Sequence, residues 1–323
     1  KVENFSNDIR IAIMRACVFD PKSSSGVKLI ERNKPHASGG IAIVKVAACG
    51  ANPVDAKYII GDKLPETWMG WAAKRAAGHT PGFDFSGTVV EAHPSSDYAA
   101  GDEVFGFACN PAKFAVTSLL GSFSEFVAAP INQIARKSAA LSHVEAAALP
   151  IVGTTALQAF QQHRVGTGQR VLIIGASGGV GHVAVQVARH LGCTVVAVCS
   201  RRNAAFVSEC GAATVLAYDE GDVFERLARD AAEHGRYDFV LDCVSSADAR
   251  DVDASYALRV RAMAPPVLEC CQLSTGMRRL QRNLAASASV ASLSGSRAFG
   301  GWPSYNRKFK VDSRRGGGAT SSW

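Results

Sequence analysis

No uninterrupted run of about 18 uncharged apolar residues occurs anywhere in the 323-residue chain, which excludes a conventional transmembrane helix. No two cysteines are spaced C-x-x-C, so a structural zinc lobe held by such pairs is excluded as well. The nine cysteines are odd in number and scattered, several of them inside apolar runs, which suits buried thiols in a reducing compartment. There are no internal repeats. The net charge is +7, but its local clusters, Arg278-Arg279 with Arg282 and Arg307 to Arg315, lack interleaved aromatics and a known nucleic-acid motif. Nucleic-acid binding is therefore not expected, and a cofactor carrying several phosphates or an acidic partner accounts for the charge equally well. What is present is an ordinary 47% of hydrophobic residues, enough for about two domains. Because the chain starts at Lys1, its start is expected to be trimmed, processed or incomplete, with any targeting signal out of view.

Residues 11–130 read as short strands separated by turn material, the sign of a mostly β domain. Ile41–Val46, Phe85–Glu91, Glu103–Phe107 and Gly121–Val127 are the clearest of these runs. The period then changes. Ser142 followed by Glu145 resembles a capping box for a helix through Ala148, and Thr154–His163 is a second helical run. From Arg170 onward strands and helices alternate: strands at 170–174, 194–199, 213–216 and 237–242, helices at 180–191, 204–210 and 223–234. The continuous apolar run Val171-Leu-Ile-Ile174 suits a strand covered on both faces, and the alternation predicts a doubly wound parallel sheet. After about residue 250 the pattern weakens to a strand near Val260–Leu268 interrupted by Pro265-Pro266, a helix over Met277–Val290, and a disordered stretch over 312–323.

Between the first parallel strand and its helix lies Gly175-Ala176-Ser177-Gly178-Gly179-Val180-Gly181. Phosphates are bound by backbone N–H donors at a helix N-terminus, where no Cβ can stand in the way. A glycine turn lets the chain approach a pyrophosphate, and the last glycine lets helix and strand pack closely. The strand–loop–helix–strand context is the one a dinucleotide fingerprint requires. An NAD site has an Asp or Glu at the end of the second strand. Here that strand ends Cys199-Ser200-Arg201-Arg202, and guanidinium groups favour a 2′-phosphate by charge and fork geometry. NADPH is the expected cofactor.

With these residues in hand, the chain resembles the zinc-free medium-chain dehydrogenase/reductase superfamily. It is nearest to quinone oxidoreductases, the mitochondrial reticulon-4-interacting-protein-1 group and trans-acting enoyl reductases. The resemblance is carried by Ala51-Asn-Pro-Val-Asp55, Pro81–Val90, Gly101–Gly106, Gly121–Phe126, Ala146–Pro150 with Gly153–Ala156, and the glycine loop, about residues 11–250 together. It implies an α/β protein: a GroES-like domain over 1–150, a doubly wound Rossmann domain over 151–295, and an atypical tail over 296–323 where relatives have closing strands. It places Asn52 by the nicotinamide ribose, where zinc-dependent relatives have a metal cysteine, and Phe83-Asp84 where they have His-Glu. It assigns Thr155 to the carboxamide, Ser200, Arg201 and Tyr218 to the 2′-phosphate, and Cys243 and Val244 to the ribose. Cys49 and His79 lie several residues from the aligned ligand positions, and no metal is expected.

The implied chemistry is zinc-independent hydride transfer from NADPH to a quinone or an α,β-unsaturated carbonyl. Lys57 and Tyr58, just after Asn-Pro-Val-Asp, are the candidate acids for the enolate, with water as the alternative. The substrate pocket is expected near 60–75, 110–120 and 255–300. A small electrophile is the expected partner, and a homodimer or a place in a larger assembly is left open. So is the compartment: mitochondrial or plastid matrix, or cytoplasm. The alternative from another class is a degenerate reductase serving as an assembly subunit, binding NADPH without turnover.

Overall fold

Period-two burial marks the first strand: Met14, Ala16 and Val18 are buried while Ile13 and Arg15 are exposed, as a strand with one face on a core requires. A computed structural model describes residues 13–20, 22–55, 78–108, 121–244 and 267–269. They fall into two compact units, one ending at Pro150 and the other starting at Ile151.

In the first unit β1 (Ile13–Phe19) and β2 (Val27–Asn33) form an antiparallel ribbon. β3 (Ile41–Gly50), β4 (Asp84–Glu91), β5 (Glu103–Phe107), β6 (Phe126–Pro130) and β7 (Ile134–Arg136) form an antiparallel sheet in the order β6-β3-β4-β5-β7. Val44, Phe85, Val89, Val104 and Val127 fill its core. The β3–β4 pairing shifts register twice, and such bulges bend and twist a sheet locally. The helix α1 (His143–Ala147) begins with the expected capping box: Ser142 Oγ accepts from Glu145 N–H, and the Glu145 carboxylate accepts from Ser142 N–H at 2.9 Å. The run over 121–127 differs from expectation, because its strand starts only at Phe126. The N–H groups of Gly121, Ser122 and Phe123 donate to the carbonyls of Thr80, Gly82 and Pro81. That part of the chain pairs with a loop, which no alternation in its own residues can reveal.

In the second unit α2 (Pro150–Gln162) precedes β8 (Arg170–Ile174), α3 (Gly179–His190), β9 (Thr194–Cys199), α4 (Ala204–Cys210), β10 (Thr214–Ala217), α5 (Val223–His234), β11 (Phe239–Asp242) and β12 (Val267–Glu269). The parallel sheet runs β10-β9-β8-β11-β12, so strand order reverses beside β8, and ligands of doubly wound sheets bind at such reversals. Leu172, Ile174, Val196, Val198, Leu227 and Val240 form its core. The helix expected from Thr154 starts at Pro150, a residue suited to a first helical turn. Tyr237 precedes β11 and is buried, its hydroxyl donating at 2.7 Å to Asp230 Oδ2, which also accepts from Arg170 at 2.6 Å. β12 overlaps the end of the stretch expected as a broken strand and pairs parallel with β11. The features expected over 277–290 and 312–323 lie outside the described residues.

Candidate functional site

The glycine loop begins where β8 runs out. Gly175 has φ +75°, a conformation L side chains rarely adopt, and a Cβ there would lie 2.6 Å from Val244 Cγ2. Gly181 sits in the first turn of α3, and a Cβ on it would run into the carbonyl oxygen of Gly175. These two glycines are demanded by the fold. Gly179 is not, and Gly178 is only tightly fitted. Gly178 is the N-cap of α3 with φ −74°, and a Cβ there would meet only Gly175 O at 3.3 Å. A Cβ on Gly179 would meet only Val152 Cγ1 at 3.5 Å. Gly179 is the first helical residue and its φ is not positive, so backbone conformation does not require a glycine there. Both glycines are exposed at the end of a helix whose first N–H groups have no intrahelical acceptor. A glycine without an internal reason leaves room for something outside the chain.

Around this loop the second unit gathers most of the candidate cofactor residues. Cys243 N–H donates to Ile174 O at 3.0 Å, and Val244 N–H to Asp242 Oδ1 at 2.8 Å, which sets both beside Gly175. Val244 is exposed. Thr155, on α2, donates its hydroxyl to Ile151 O at 2.6 Å, one turn back along its own helix. Ser177 Oγ accepts from Asn203 Nδ2 at 3.1 Å. Asn203 escaped the sequence reading for a physical reason. It occupies the N-cap of α4, where an asparagine is ordinarily explained as a cap, yet its side chain makes no capping bond and reaches the glycine loop instead.

Ser200 is buried at the end of β9, and Arg201 and Arg202 follow it in an exposed 3-10 turn. Tyr218 is drawn to the same edge, its N–H donating to Cys199 O at 3.0 Å with the ring half exposed. The end of β9 carries no carboxylate, as its sequence reads, but a neighbouring segment brings carboxylates to it. The loop after β10 supplies two: Arg201 N–H donates to Asp219 Oδ1 at 2.8 Å, and Arg201 Nε pairs with Glu220 Oε1 at 3.0 Å. The sequence reading followed the strand's own residues and missed those of its neighbour.

In the first unit, Asn52 leads a short helical turn over 53–55. Its N–H donates to Asp55 Oδ2 at 2.7 Å and its Nδ2 to Asp84 Oδ2 at 3.0 Å. Asp55 is 3% exposed, and burial pushes its carboxyl up to about 6, against the bonds it accepts from Asn52 and Gly82. Burial likewise raises the thiol of nearby Cys49, with Asp55 adding to it. Phe83 stacks on Phe107 with ring centroids 5.3 Å apart. An amide committed to Asp84 and a stacked phenyl ring do not fit a zinc ion at these two positions. Among the described residues no group of three or more His, Cys, Asp or Glu side chains is placed to hold a metal. Lys57 and Tyr58 lie outside the described residues, as do the pocket segments 60–75 and 110–120.

Ser86 Oγ, His143 and Glu103 make a hydroxyl–imidazole–carboxylate chain, 2.8 Å from Ser86 to Nδ1 and 3.2 Å from Nε2 to Glu103. It is no nucleophile: Ser86 is fully buried and its hydroxyl donates to Val104 O at 2.9 Å. The chain ties α1 to β4 and β5.

An open, parallel, doubly wound sheet with a glycine loop at its reversal, joined in sequence to a curled antiparallel β unit, defines the two-domain class of pyridine-nucleotide dehydrogenases. Residues 38–139 match the family described as the alcohol dehydrogenase GroES-like domain, and residues 179–259 match the zinc-binding dehydrogenase family. The chain is 32% identical to the quinone oxidoreductase from Coxiella burnetii, whose structure superposes with a TM-score of 0.61 over 73% of this chain and 70% of that one. It is 37% identical over 257 residues to the mitochondrial NAD(P)H oxidoreductase RTN4IP1 of Homo sapiens, covering 73% of this chain and 60% of the relative. It is 33% identical over 209 residues to the trans-enoyl reductase pgmF of Aspergillus terreus, covering 62% and 54%. The chain belongs to the medium-chain dehydrogenase/reductase superfamily, and it spans 60% or less of the length of these two curated relatives.

Proposed function

We propose that the chain is an NADPH-dependent oxidoreductase that delivers a hydride, without zinc, to a quinone or an α,β-unsaturated carbonyl compound. The observation that carries this reading is the pair Gly178 and Gly179, exposed at a helix N-terminus, with Gly179 not required by the fold. A backbone left bare in this way admits a pyrophosphate onto helix N–H groups. Ser177 would hydrogen-bond a phosphate oxygen, with Asn203 orienting its hydroxyl. Ser200, Arg201, Arg202 and Tyr218 would receive the 2′-phosphate, while Cys243 and Val244 would flank the ribose.

The nicotinamide, when bound, supplies the hydride. The protein's share is orientation and polarity. Thr155 would hold the carboxamide. Asn52 would face the nicotinamide ribose from a turn that Asp55 and Asp84 fix. Lys57 and Tyr58 are the proposed proton donors to the enolate. The names of the relatives, an NAD(P)H oxidoreductase, a trans-enoyl reductase and a quinone oxidoreductase, support reduction of an electrophile. The mitochondrial name of one relative supports an organellar location.

The test is to follow NADPH absorbance with a panel of quinones and enones, alongside direct NADPH binding. Turnover with at least one class of electrophile is expected. Binding without turnover across the panel would overturn the enzyme reading, and absence of binding would overturn the cofactor reading too.

A further inference from the structure

We propose that Glu220 sets how strongly this chain prefers a 2′-phosphorylated dinucleotide, by holding Arg201 as the counter-ion that the phosphate must displace. The inference rests on the reading that the edge formed by β9 and β10 receives the ribose end of the cofactor. It concerns a residue to which that reading gives no role.

The geometry is that of a built pair. Arg201 Nε lies 3.0 Å from Glu220 Oε1, while the Arg201 backbone is fixed by its N–H bond to Asp219 Oδ1 at 2.8 Å. The loop bearing Glu220 is fixed as well: Arg226 Nη1 donates to Ala217 O and to Glu220 O, each at 3.0 Å. Glu220 therefore stays beside the site when a ligand arrives. The side chains of Arg201 and Glu220 are 78% and 40% exposed, so water screens the pair and a phosphate carrying more charge than one carboxylate can replace it. The displaced carboxylate still stands within a few ångströms, and its repulsion falls on a 2′-phosphate but not on a 2′-hydroxyl. Arg201 meets both Asp219 and Glu220, so the edge carries acidic charge where its strand sequence alone reads as purely basic.

Glu220→Gln keeps the shape and an acceptor for Nε while removing the charge. Titration calorimetry with NADP+ and NAD+ should show NADP+ binding about 3- to 10-fold tighter in this variant, with NAD+ changed by less than about 2-fold. The gain should shrink as salt rises from about 0.05 to 0.5 M, because screening weakens the repulsion being removed. Asp219→Asn is the companion variant. It removes the carboxylate bonded to the Arg201 N–H and leaves the one paired with the guanidinium, so it should raise the NADP+/NAD+ ratio less than Glu220→Gln does. A ratio unmoved by Glu220→Gln, or lowered by it because Glu220 serves to orient Arg201, overturns the proposal. A native chain that favours NAD+ but shifts toward NADP+ in Glu220→Gln would uphold it while contradicting the NADPH reading. A strong native NADP+ preference that Glu220→Gln leaves untouched would do the reverse. Binding of neither nucleotide by either form overturns both.

Discussion

Asp55 carries a carboxyl into the interior of the β unit, where it accepts from the N–H of Asn52 and is almost out of reach of water. Burial penalises the charged form, which is why its carboxyl sits at about 6 and not at the ordinary 3.8. Because the folded value lies above the unfolded one, the folded state holds the extra proton between pH of about 4 and 6. The stabilising contribution of this group is full below about pH 4 and is lost as pH rises through about 6. Asp102, Glu103, Glu125 and Glu145 are shifted downward by their hydrogen bonds and ion pairs and act in the opposite sense, so the total curve hides the effect. A difference measurement isolates it. Asp55→Asn should melt several degrees higher than the native chain at pH 7.5 and show little difference at pH 4.5. Equal offsets at both pH values would show that Asp55 is not the buried titrating group.

At the scale of the element, the loop from β8 into α3 separates glycines the fold requires from those it does not. Gly181→Val would drive a side chain into the Gly175 carbonyl and should cost about 1–3 kcal/mol of stability or more, read from denaturant unfolding. Gly179→Val has space within the chain, since its Cβ meets only Val152 at ordinary contact distance, and should unfold within about 1 kcal/mol of the native protein. The same valine would stand where a pyrophosphate approaches the helix N-terminus, so NADPH affinity should fall by at least about tenfold. A Gly179→Val protein that stays folded and binds NADPH as tightly as its parent would mean the loop cradles no cofactor. The pair of variants thus separates the role of the loop in folding from its role in binding.

For the whole molecule, the match to the zinc-binding dehydrogenase family covers residues 179–259, and a metal has to be sought at the side chains themselves. Asn52 is bonded to Asp84 and Phe83 is stacked on Phe107, so these two positions offer an amide and a hydrocarbon ring, neither of which suits zinc. Elemental analysis of the purified protein should find well under one zinc per chain, and extensive dialysis against a chelator should leave the melting temperature unchanged. One zinc per chain that resists chelation would overturn this.

The sequence by itself determined the parallel strands, the capping box at Ser142 and the position of the glycine loop. Each is a local matter: continuous apolar runs, a three-residue spacing and a cluster of glycines are written along the chain. Only the tertiary structure decided how neighbouring segments complete these features. It gave the turn at Gly121–Phe123 partners in the loop at Thr80–Gly82, sent Asn203 from its helix cap to Ser177, buried Asp55, and set Asp219 and Glu220 against Arg201. Those contacts join residues from about 18 to 40 positions apart, and no local propensity records which strand end folds beside which, because the sheet order that does so is fixed by burial of the core as a whole.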